Sequence, residues 1–231
     1  MRKKLNSFLL IIGLAVIISF SGCEDDSSGT SIVCLGDDFT AGRGEFNMVL
    51  NRYSYPVYLG ERVNIPVINA GVDKDTSTQA LSRLNQDVLS KDPRIVVIML
   101  GLNDITSQIP TDITEANLRE IISKIDDGKR KIYLVKFYTD EIGFAIGKAL
   151  TGGALSDDTI KALIALNNAM FESLSSIKNV TLIEDIWDGV WGVPDNMANI
   201  MYPNRDGYKK IADNIFKGME PYLKANGLIR K

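Results

Sequence analysis

The sequence predicts a single three-layer α/β/α domain built on a five-stranded parallel sheet. Two observations carry this. Beyond residue 30, short β-rich runs alternate with segments of helical apolar spacing. The strongest run, Ile95-Val96-Val97-Ile98-Met99-Leu100, is apolar at every position, so it is covered on both faces, as in a parallel sheet flanked by helices. Length and composition agree: 231 residues, 45% hydrophobic and 24% charged, suffice for one domain with a real core.

The first strand is expected over Ser31 to Leu35. A helix with Pro56 in its first turn covers Tyr55 to Val63, and a second strand covers Pro66 to Asn69. Ala80, Leu81, Leu84 and Val88 form the apolar stripe of the next helix, ahead of the strand at Arg94 to Leu100. Leu118, Ile121, Ile122 and Ile125 mark another helix, and Lys131 to Phe137 the fourth strand. Tyr138 to Ser156, with Gly143, Gly147, Gly152 and Gly153 among apolar Phe144, Ile146 and Leu150, is long for a strand-to-helix connection. It reads either as a partly helical rim over a pocket or as a surface excursion with its own apolar cluster. A helix through Ile160, Leu163, Ile164, Met170, Phe171 and Leu174 precedes the last strand, Val180 to Ile183. A final helix runs from Arg205 to about Lys224.

The amino terminus reads as an address. Arg2, Lys3 and Lys4 precede an apolar run from Phe8 to Phe20 that ends at Ser21-Gly22-Cys23, the outline of a signal peptide over residues 1–22. Thirteen helical residues span only about 20 Å, short of a bilayer core of roughly 30 Å. A Cys after a small residue resembles a bacterial lipobox. That resemblance implies cleavage before Cys23, lipidation of Cys23, and a membrane-anchored extracytoplasmic lipoprotein of a bacterial envelope; a plain secretory signal cleaved near Gly22 is the alternative. Residues 23–30 then form a polar tether and residues 31–231 the folded domain. Cleavage leaves 23 basic against 29 acidic residues, net −6, so acyl chains rather than anionic headgroups are expected to hold the body. Cys34, inside an apolar run, is expected to be a small buried hydrophobe.

Composition also excludes. A net charge of −3 gives no electrostatic reason to expect nucleic acid as a partner. The chain has no histidine, so Ser-His-Asp and Cys-His chemistry and His-ligated zinc are ruled out.

In an open parallel sheet, ligands meet the loops at the carboxyl ends of the strands. Those loops read Gly36-Asp37-Asp38-Phe39, then Asn69-Ala70-Gly71-Val72, then Gly101-Leu102-Asn103-Asp104; Asn199-Ile200-Met201-Tyr202-Pro203 lies just before the last helix. Together, over about Ser31 to Asn226, they resemble the SGNH or GDSL hydrolase superfamily. These are acyl-ester hydrolases with a flavodoxin-like sheet and the blocks G-D-S-L, a glycine, G-x-N-D and D-x-x-H-P. The resemblance places the family's nucleophile at Asp38, its orienting aspartate at Asn199 and its histidine base at Tyr202, so all three catalytic positions are substituted. It places oxyanion donors at Gly71, Asn103 and the backbone of Asp38; of these, Gly71 and Asn103 keep the family's residue type.

Serine attack needs a base, and the base needs an orienting acceptor. Neither stands here, and a tyrosine with an ordinary pKa of about 10 is protonated at neutral pH. In a serine protease, loss of a triad costs roughly 10⁶ in kcat. The expectation is a hydrolytically inactive fold that binds a small acylated or acetylated ligand, lipid or glycan, in the former active site, with no cofactor and no metal. Asp38 is expected to fill its own oxyanion hole, accepting from Asn103 and from the Gly71 amide. The competing reading is an active esterase with an unconventional nucleophile or base, Asp38 forming an acyl anhydride for instance. Asp37, Asp38 and Asp104 lack the spacing of a cation cage; Asp37 and Asp104 are expected to brace loops. Trp191, Met201 and Phe144 are expected at the pocket rim, and Trp187 as packing.

Overall fold

A computed structural model describes residues 29–44 and 52–231. The predicted signal segment, Cys23 and most of the tether lie outside the described residues. Five parallel strands, β1 (Ile32–Gly36), β2 (Val67–Gly71), β3 (Ile95–Met99), β4 (Lys131–Val135) and β5 (Val180–Ile183), form one sheet in the order β2-β1-β3-β4-β5. The helices are α1 (Asp38–Ala41), α2 (Tyr55–Gly60), α3 (Ser77–Asp87), α4 (Leu102–Thr106), α5 (Thr111–Ile125), α6 (Asp140–Thr151), α7 (Asp157–Ser175) and α8 (Arg205–Ala225). α2 packs on α8, while α3, α5 and α7 pack in series, so the sheet is covered on both faces. The central strands β1 and β3 are buried at every position, whereas the edges β2 and β5 are mostly half-buried.

Local chemistry fixes the element ends. The Thr76 side chain and Gln79 form a reciprocal capping box at α3, and Asn204 Oδ1 accepts from the amides of Asp206 and Gly207 at the start of α8. The apolar stripes read from sequence are buried: Ala80, Leu84 and Val88; Leu118, Ile121, Ile122 and Ile125; Ile211, Ile215 and Met219. Cys34 is free and buried, and burial pushes its thiol up to about 12.

Two departures matter for the site. The segment after β4 is a regular helix, α6, started by the Thr139 side chain and closed by left-handed Gly152. Its Ile142 and Ile146 are buried, and a Cβ at Gly147 would press on Ile160 of α7. Gly143 and Gly147 therefore let α6 approach Ile164 and Ile160 of α7. The short helices α1 and α4 carry no apolar period, which is why periodicity does not announce them.

Register brings the site together. Gly36, the last residue of β1, lies beside Gly71 of β2 and Met99 of β3. The loops after these three strands therefore leave the sheet at one level.

Candidate functional site

Asp37 caps α1 by accepting from the Phe39 amide at 3.2 Å, and Asp38 is the helix's first residue. The Asp38 side chain is almost fully buried and accepts hydrogen bonds from Asn103 Nδ2 at 2.7 Å, Arg43 Nη1 at 3.0 Å and the Lys74 amide at 3.1 Å. Lys74 has φ 63°, a left-handed backbone for a non-glycine residue, at the position where its amide meets the carboxylate. Arg43 follows the left-handed turn at Gly42 that ends α1. It also contacts Asp73 at 3.3 Å and stacks on the Tyr202 ring, 5.1 Å from its centroid. From α8, the Tyr208 hydroxyl donates to the Arg43 carbonyl.

Burial pushes the Asp38 carboxyl up, but hydrogen bonds with Asp73, Asn103, Arg43 and the Lys74 amide outweigh it, so the group lies below its ordinary value. Asp73 moves the other way, raised by its hydrogen bond with Asp38 and then by burial. Burial, with Asp38 nearby, raises Asp37 well above the usual carboxylate range. Asp38 is thus the ionised member of an acidic group, and its charge is met by a guanidinium, an amide side chain and a backbone N–H.

Asn103 stands in α4, two residues after left-handed Gly101. Its Nδ2 bridges Asp38 and the Asp75 carbonyl. Asp104 beside it accepts from the Ser77 amide and hydroxyl and from the Thr114 hydroxyl, tying α3 and α5 to the end of β3. Asp37 and Asp104 thus brace loops. From α3, Arg83 donates to the Gly36 and Ala70 carbonyls and pairs with Asp75 and Asp87, holding the ends of β1 and β2 from below the site.

Gly71 differs from expectation. Its N–H donates to Asn69 Oδ1 at 2.8 Å, and no hydrogen bond joins it to Asp38. A Cβ at Gly71 would overlap the backbone of Thr40 and Ala41, so the glycine is explained by the close approach of α1 to the end of β2. Asn69, with Nδ2 donating to the Thr40 carbonyl and the Ser54 hydroxyl, completes that clasp.

Asn199 and Tyr202 belong to a tight knob closed by the Met197–Pro203 bridge. Asn199 Oδ1 accepts from the amides of Met201 and Tyr202, 2.9 Å each, so it supports its own loop rather than a catalytic base. The Tyr202 ring packs between Phe39 and Arg43, and burial raises its hydroxyl to about 12. Met201 is half-buried in the same knob and Ile200 is 83% exposed at its tip.

Trp187 is buried, with Nε1 donating to the Phe137 carbonyl, and packs edge-on against Phe39 and Trp191. Trp191 lines an open, polar cavity of about 710 Å³ with Glu141, Glu184, Asp188, Asn214 and Lys217. A second cavity, about 650 Å³ and more apolar, lies between α4, α6 and α7 and is lined by Leu102, Ile105, Ile146, Ile160, Leu163 and Ile164 among others. Phe144, expected at the rim, lines neither cavity; Lys148 covers its ring at 5.8 Å. Met201 lines neither.

Sequence reasoning did not single out Arg43, Asp73 or Lys74. The signal for the latter two was available: they follow Gly71 in a strand-end loop that the rule for parallel sheets already marks. Nothing in the spacing ties Arg43 to Asp38. Among the described residues, no group of three or more Cys, Asp and Glu side chains is arranged to hold a metal ion.

The chain matches the model of the GDSL-like lipase/acylhydrolase family over residues 34–210. It is 25% identical over 211 residues to thioesterase 1/protease 1/lysophospholipase L1 of Escherichia coli K12, covering 90% of both chains. It is 27% identical over 128 residues to an arylesterase of Vibrio mimicus, covering 53% of this chain and 62% of that one. Among solved structures, the psychrotrophic esterase EstA of Pseudoalteromonas sp. superposes with a TM-score of 0.65 at 23% identity, covering 84% of this chain and 99% of that one. A lipase/acylhydrolase of Enterococcus faecalis gives 0.59 at 22%, covering 83% and 96%. These structures share the fold.

Proposed function

The chain belongs to the GDSL-like lipase/acylhydrolase family, and from that premise we propose that it is a non-hydrolytic member that binds an acylated or acetylated ligand. The carrying observation is Asp38, a buried carboxylate held by Asn103, Arg43 and the Lys74 amide; in this reading it takes the place of the family's nucleophile. A carboxylate there repels a developing oxyanion, and its donors are already engaged. In this reading Asn199 and Tyr202 take the places of the orienting aspartate and the base, and neither does that work. Asn199 accepts from its own loop, and the Tyr202 hydroxyl is raised, not lowered.

The apolar cavity beside Asn103 takes the acyl arm. Leu102, one of its lining residues, is the chain neighbour of Asn103, and a volume of this size holds a medium-length aliphatic chain. A lipid anchor on Cys23 in a bacterial envelope completes the proposal. The test is native mass spectrometry of the protein with a p-nitrophenyl ester of decanoic acid. The expected species carries the intact ester and disappears in Ile146→Trp, which fills the cavity. A complex holding only decanoic acid, with p-nitrophenol released by the protein, overturns the reading and favours an active esterase.

A further inference from the structure

The body is charged unevenly along the strand direction. At the amino-end rim of the sheet, residues 61–66, 88–94, 126–130, 176–179 and 226–231 contain eight basic and four acidic residues. At the carboxyl-end rim, residues 37–44, 52–54, 72–76, 100–110, 136–156 and 184–204 contain five basic and eleven acidic ones. The two rims thus have opposite sign. The carboxy-terminal segment is held at the basic rim by the Val63–Ile229 bridge and by the Asn64 amide, which donates to the Leu228 carbonyl. Lys91, Lys129 and Lys178 are exposed there.

The chain also enters at the basic rim. Gly29 lies against the backbone of Asp92 and Pro93, and the Arg94 amide donates to the Ser31 carbonyl. Asp38, Asn103 and Tyr202 stand at the opposite rim. Five residues lie between Cys23 and Gly29, and the six Cα-to-Cα steps reach at most about 21 Å when extended. A domain of about 200 residues has a radius of gyration of about 16 Å and a diameter of roughly 40 Å. The tether is too short to carry an anchor around the body to the site.

We propose that the protein, lipidated at Cys23, stands on an anionic leaflet by its basic rim and turns the Asp38 cleft away from that membrane. This rests on the reading of Cys23 as an anchor. It narrows the ligand to an acyl-bearing molecule not embedded in the anchoring leaflet, one in the facing space or on the opposing surface. It also revises the expectation that headgroups play no part, because a net charge of −6 averages over two rims of opposite sign. A lysine near an anionic surface contributes about fivefold to binding.

The test uses the full lipidated chain in vesicles whose headgroups carry a nitroxide quencher, with one fluorophore on Lys129→Cys or on Ile200→Cys. Buried Cys34 does not compete for label. The expected result is strong quenching at 129 and none at 200. Quenching at 129 rises when phosphatidylglycerol is added to phosphatidylcholine, and Lys91→Glu with Lys178→Glu abolishes that rise. Equal quenching at both positions, stronger quenching at 200, no response to phosphatidylglycerol, or an intact mass without lipid on Cys23 overturns the proposal. Ester binding by native mass spectrometry on the same samples reports separately on the functional reading.

Discussion

Asp38 Oδ2 and Asn103 Nδ2 are 2.7 Å apart and join the loop after β1 to the loop after β3 through buried side chains. Deleting the amide leaves an ionised, buried carboxylate short of one donor. Asn103→Ala is expected to lose about 1–3 kcal/mol in urea unfolding, with the Asp38 carboxyl moving up in a carbon-detected NMR titration.

Arg43 gives the second test. The Asp38 pKa lies below its ordinary value, so the stabilisation it provides is present above the unfolded carboxyl pKa of about 4 and is lost as pH falls through the folded value. Arg43→Ala should therefore cost about 1–2 kcal/mol at pH 7, discounted for the partial exposure of the guanidinium. At pH 3 the difference from wild type should shrink. Parallel urea titrations at the two pH values check this.

Asp37 has the opposite sign. Its folded pKa is raised by burial and by Asp38, so the unfolded chain ionises first and stability is lost as pH rises from about 4 through the folded value. Asp37→Asn keeps an α1 cap and removes the titration. The variant should gain on wild type in melting temperature as pH is raised from 4 to 8.

Gly71 separates a backbone donor from a packing requirement. An alanine keeps the N–H, so a purely donating role predicts unchanged stability. Overlap with the backbone of Thr40 and Ala41 predicts a loss of about 1–3 kcal/mol or more. Thermal unfolding of Gly71→Ala decides between them.

The sheet was legible because β1 and β3 are apolar throughout, and the positions of Asp38 and Asn103 were legible because short blocks at strand ends name them. Their contact required only that both strands end at one level. The diversion of the Gly71 amide to Asn69 was not legible, since a glycine has the same letter whether it donates or merely makes room. Arg43 was hidden for another reason: the left-handed turn at Gly42 swings it back over Asp38, and such a turn has no period. The helix over Asp140–Thr151 was obscured by glycines that read as breakers in isolation and prove to be contacts with α7.

The central claim, a site whose nucleophile position holds a tethered anion, is tested most directly by the initial rate of p-nitrophenyl butyrate hydrolysis by the purified protein. The expected rate equals that of buffer and is unchanged in Asp38→Ala. Turnover well above buffer that Asp38→Ala abolishes would contradict it.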